Sequence, residues 1–63
     1  MSNLSQYEAV GIAEGFVEAE SEEQVQEAWQ YLIDTGLCWQ LQGWFGRTAQ
    51  SLIDAGICQP RQQ

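Results

Sequence analysis

Histidine and lysine are both absent from this chain, proline occurs once, and two arginines are the only bases set against nine acids. Lacking histidine, it is without the side chain that most often serves as general base and metal ligand near neutral pH. A formal net charge of −7 argues against covering a nucleic-acid backbone, which calls for several cationic contacts. No stretch approaches the roughly 20 apolar residues of a membrane span, and Met1 to Tyr7 has neither the basic nor the apolar region of a secretory leader. The expected location is therefore the cytoplasm, with no membrane partner. What is present is a globular composition, 44% hydrophobic and 11% aromatic over 63 residues. That is enough for one domain over residues 1–63, of a size that buries only about 60% of its unfolded surface. It leaves little room for a walled substrate pocket of roughly 300 Å³ or more.

Hydrophobic spacing predicts an all-α fold, a compact three-helix domain with helices over 6–18, 22–35 and 39–55. Ser5 followed by Glu8 has the spacing of a capping box, and Ala9, Val10, Ile12, Ala13, Phe16 and Val17 then share one arc. Gly11 and Gly15 fall on the opposite side, either tolerated in a weak helix or marking a bare strip where another backbone comes close. Ser21 and Gln24 repeat the capping signal, and Glu22 and Glu23 suit the positive end of a helix dipole. Val25, Ala28, Trp29, Leu32 and Ile33 form the stripe of this second helix. In the third, Leu41, Trp44, Phe45, Thr48, Ala49, Leu52 and Ile53 recur at helical spacing, while Gly43 and Gly46 invite a kink or a split. The tail over 59–63 contains Pro60 and is expected to fray.

Residues 32–38 and 52–58 read Leu-Ile-Asp-Thr-Gly-Leu-Cys and Leu-Ile-Asp-Ala-Gly-Ile-Cys. Each is a helix ending in which glycine takes the left-handed conformation and the next apolar residue folds back, Leu37 onto Leu32 and Ile57 onto Leu52. Were the third helix continuous, Cys38 and Cys58 would lie roughly 25 Å apart at 1.5 Å per residue, whereas a disulfide needs alpha carbons within about 7 Å. Free thiols are expected. Two separated cysteines without histidine also make no metal site.

No catalytic constellation stands out. Gly43-Trp44-Phe45-Gly46-Arg47-Thr48 lacks the lysine and the preceding strand of a phosphate loop, and a helix-turn-helix read through Gly36 would offer DNA only Arg47. The chain is accordingly expected not to be an enzyme and to need no cofactor. Its charge is uneven: eight of the nine acids lie in residues 1–34, which hold no base. That surface is either a solubilising face or a contact for a basic partner. The candidate contact residues are Glu14, Glu18, Glu23, Glu27 and Tyr31. Trp39, which points off its helix's stripe, joins them, either covering the Gly36 corner or anchoring an interface. So small a core also makes a homodimer conceivable.

The run from Tyr7-Glu8-Ala9-Val10-Gly11-Ile12-Ala13-Glu14-Gly15-Phe16 through Glu27-Ala28-Trp29-Gln30-Tyr31-Leu32-Ile33-Asp34-Thr35-Gly36 to Leu41-Gln42-Gly43-Trp44-Phe45-Gly46-Arg47-Thr48-Ala49 resembles a group of short proteins of unknown function encoded by tailed bacteriophages. The likeness spans residues 7–58. It implies a phage origin and a bacterial host cytoplasm, and it carries no binding residues over. By class analogy it implies a module that binds a host or phage protein and inhibits or modulates a host or defence protein. The alternatives are an accessory protein of the virion or its assembly, and an acidic mimic of DNA.

Overall fold

The computed structural model describes residues 4–61. Three α-helices and a 3-10 turn make up the fold, with no strand among the described residues. Helix α1 is Gln6–Glu14, α2 is Glu22–Asp34 and α3 is Gly43–Asp54; the 3-10 turn, Leu37–Trp39, lies between the last two.

Helix α1 opens on the expected capping box: Ser5 Oγ accepts from the Glu8 amide at 3.2 Å, and a Glu8 carboxylate oxygen accepts from the Ser5 amide at 3.3 Å. It stops at Glu14 and not at Glu18. Gly15 takes φ 84°, so that its own amide donates to the Ile12 carbonyl at 3.1 Å and the Phe16 amide to that of Gly11 at 3.0 Å. This is a Schellman ending, which satisfies carbonyls the last turn leaves open. The chain then doubles back, and a Cβ on Gly11 would lie 2.5 Å from Val17 Cγ2. What the bare strip at Gly11 admits is therefore the chain's own Val17 side chain, not a partner's backbone. Phe16, expected on the buried arc, lies beyond the helix and is 85% exposed.

Helix α2 follows the sequence closely. Ser21 caps it by accepting from the Gln24 amide at 3.2 Å, and Ala28, Trp29, Leu32 and Ile33 are buried. Gly36 follows at φ 76° and donates to Ile33 O at 3.0 Å. From there the two similar endings diverge. After Gly56 the Ile57 amide completes the Schellman pair to Leu52 O at 2.9 Å, whereas after Gly36 the Leu37 amide turns to Thr35 Oγ1 at 3.4 Å and the chain winds into the 3-10 turn. The third helix therefore begins at Gly43 rather than at residue 39 and ends at Asp54. Gln42, extended at φ −61° and ψ 153°, separates it from the turn. Glycines at 43 and 46 give a helix too little propensity to reach back to Trp39.

The core gathers Ala9, Ile12, Ala28, Trp29, Leu32, Ile33, Cys38, Phe45, Ala49 and Cys58. Three aromatic rings join α2 to α3: Trp44 stacks on Phe45 with centroids 3.9 Å apart, and Trp29 meets Phe45 at 6.0 Å and Trp44 edge-on at 6.4 Å. The helix meant to separate the two cysteines does not run back to residue 39, yet both thiols are free and buried.

The tail is held where fraying was expected to start. Gln30 pairs with the backbone of Gln59, its Nε2 donating to the carbonyl at 3.0 Å and its Oε1 accepting from the amide at 2.8 Å. One turn earlier, Gln26 Nε2 donates to the Ile57 carbonyl. Arg61 lies over the Gly36 corner, where an added Cβ would meet its Nη1. Trp39 lies instead against Gly46 and is 48% exposed. Gln62 and Gln63 are outside the described residues, as are Met1 to Asn3.

Candidate functional site

On a helix, residues four apart stack one above the other. Glu23, Glu27 and Tyr31 thus run in line along the outside of α2, opposite its buried stripe. Two shallow depressions, both open to solvent, follow this line. One, of about 440 Å³, is bordered by Ser21, Glu23, Gln26, Glu27 and Gln30. The other, of about 260 Å³, is bordered by Leu4, Glu27, Gln30, Tyr31 and Asp34. Glu27 and Gln30 belong to both, so the structure joins three of the candidate residues into one surface.

The remaining candidates lie apart from those two depressions. Glu14 is the last residue of α1, Glu18 falls in the segment between α1 and α2 because the first helix ends early, and Trp39 sits in the 3-10 turn against Gly46. The residues that sequence reasoning did not single out are Gln26, Gln30 and Asp34. Gln30 is half-buried, and besides holding the tail it donates to Asp34 Oδ1 at 2.9 Å. The four-residue spacing of Gln26, Gln30 and Asp34 was readable as one stripe, but nothing local marks a glutamine as a partner for a distant backbone.

The electrostatics are plain. Glu14, Glu18, Glu23 and Glu27 are all exposed, and none of their carboxylates makes a hydrogen bond or ion pair within the described residues. Their charges repel one another and contribute no internal contact. No group of three metal-ligating side chains occurs among the described residues. The thiols are not activated: burial pushes Cys38 from 9.0 up to about 11, and Cys58 is raised by burial and then by the nearby Asp34 carboxylate. Both stay protonated at neutral pH, and a protonated thiol is a poor nucleophile. No helix of the described residues is long and apolar enough to cross a membrane.

A family model described as a domain of unknown function (DUF7417) matches residues 6–63. The chain belongs to that family. The DUF7417 match opens at the first residue of α1 and takes in all three helices and the tail, so the segment strapped at Ile57 and Gln59 lies within the domain. Nothing among the curated proteins or the solved structures matches the chain.

Proposed function

We propose that this DUF7417 protein is a protein-binding module of phage origin that works in a host cytoplasm, where it inhibits or modulates a host or defence protein through the Glu23, Glu27 and Tyr31 face of α2. The carrying observation is that Glu23 and Glu27 stand exposed beside a half-buried tyrosine and have no partner among the described residues. Carboxylates that raise self-repulsion without an internal contact are suited to meeting a basic surface, where complementary charge speeds encounter and fixes register. Tyr31 adds an aromatic side chain of the kind enriched in interface hot spots. The product is read as a surface and not as a reaction, a reading supported by two open depressions and two protonated thiols.

The test is capture of partners from infected cells with the natural protein and with a Glu23→Lys/Glu27→Lys variant. Loss of a specific partner by the variant, with helicity unchanged by circular dichroism, supports the reading. Equal capture by both proteins refutes it. A captured partner that itself binds DNA points to mimicry of DNA, and recovery of the protein in purified particles points to a role in the virion.

A further inference from the structure

Across Gln26 from the acidic line lies a different feature, an apolar groove of about 440 Å³ between α2 and the end of α3. It is lined by Val25, Trp29, Leu52 and Ile57, with Glu22 and Gln26 on its rim. Val25 and Ile57 are 38% and 46% exposed, so the fold leaves part of this surface in water. We propose that the groove receives an amphipathic, basic α-helix of a partner protein. The proposal rests on the reading of the chain as a protein-binding module and adds the chemistry of what it binds.

Three observations select this occupant. A volume of about 440 Å³ admits one or two large apolar side chains, the anchors that a helix lays into a groove at spacings of three and four residues. The charge at the rim is of one sign: Glu22 lines the groove itself, and Glu20 and Glu23 are its exposed neighbours in the chain. Neither arginine lines the groove, since Arg61 lies over Gly36 and Arg47 reaches back beside Gly43. Basic side chains flanking an apolar stripe therefore meet carboxylates. A second copy of this chain would bring its own net charge of −7 against the same rim and be repelled. A second apolar hollow, formed by Gln6, Tyr7, Val10, Leu37 and Leu41, has no charged residue in its lining and so expresses no such preference.

The experiment titrates the full chain with a synthetic helical peptide of leucine and lysine, its leucines on one face, and compares a scrambled peptide of equal charge. Val25→Glu and Ile57→Glu replace partly exposed residues and make the protein more acidic. If the groove is the site, each weakens binding of the amphipathic peptide about tenfold or more despite the added negative charge, and the scrambled peptide binds poorly throughout. Unchanged or tighter binding by these variants overturns the proposal, because attraction by charge alone predicts that result. Failure of the natural protein to bind the amphipathic peptide at all also overturns it. So does a dimer of the natural protein that Val25→Glu dissolves, since the occupant is then a second copy. In each of these cases capture by a Glu27→Lys variant, which changes the acidic line but neither the groove lining nor its rim, still judges the acidic face separately.

Discussion

At the scale of single residues, six glycines divide into two kinds that their neighbours in sequence only partly reveal. Gly15, Gly36 and Gly56 have positive φ. Two of them were legible as helix endings because the repeat placed each between a helix and a single apolar residue. Gly15 also stands between a helix and an apolar residue, Phe16, but apolar spacing carries on through Phe16 and Val17 and imitates a longer helix. Periodicity masked the ending because Val17 does return to the core side, by a backward turn over Gly11 instead of by helical rise. The division predicts opposite signs for two alanine substitutions. Gly56 meets nothing within 4 Å of an added Cβ, so Gly56→Ala is penalised by conformation alone and costs about 1 kcal/mol. Gly43 has no positive φ, and its Cβ would meet only the mobile end of Arg47 at 3.1 Å. Gly43→Ala should stabilise by up to about 1 kcal/mol through helix propensity. Thermal melts that move in the same direction for both would refute this assignment.

At the scale of elements, the helices with capping serines were the ones whose starts could be read. Ser5 and Ser21 each accept from an amide three residues on, whereas Gln42 makes no side-chain cap, and hydrophobic spacing alone puts the start of α3 four residues early. Local signals of this kind locate helix ends; they do not locate the strap that closes the molecule. Gln30 lies 29 residues from its partner Gln59, and a lone glutamine on a polar helix face looks the same whether it meets water or backbone. The acidic line had the opposite fate. The in-line spacing of Glu23, Glu27 and Tyr31 was legible because a single helix carries it, while α1 ends at Glu14 and leaves Glu18 outside the helix that apolar spacing predicts for both. Gln30→Ala removes both bonds to Gln59, and at about 1 kcal/mol for each net hydrogen bond the loss falls mainly on the tail. The Gln59 amide should then exchange with solvent much faster, and amides inside α2 should change little. Equal acceleration in α2 and at Gln59 would mean that the strap is not a separable element.

At the scale of the whole molecule, a chain of 63 residues has a net stability of only a few kcal/mol, so modest charge effects on buried groups become visible. Two such groups are the thiols of Cys38 and Cys58, and both are held above their ordinary pKa. Burial disfavours the thiolate, so the folded state binds the thiol proton more tightly than the unfolded chain does. This contribution is complete below the unfolded pKa near 9 and is lost as pH rises through the folded value, about 11 for Cys38. Between neutrality and pH 8 the melting temperature should be insensitive to these groups. From pH 9 to 11 it should fall, with a loss on the order of 1–2 kcal/mol for Cys38, since one pKa unit is about 1.4 kcal/mol. A Cys38→Ala/Cys58→Ala variant separates this effect from every other titration. Removing two buried side chains lowers its stability at all pH values, but the part of the alkaline slope that belongs to the thiols disappears. Native-state labelling provides an independent check of the same linkage. Below pH 9 a thiol reagent should modify both cysteines at the rate of unfolding, and above it the rate should climb as the folded state weakens. If the natural protein and the double variant lose stability in parallel from pH 9 to 11, the thiols are not held in a low-dielectric core, and the packing of Cys38 and Cys58 described above is wrong.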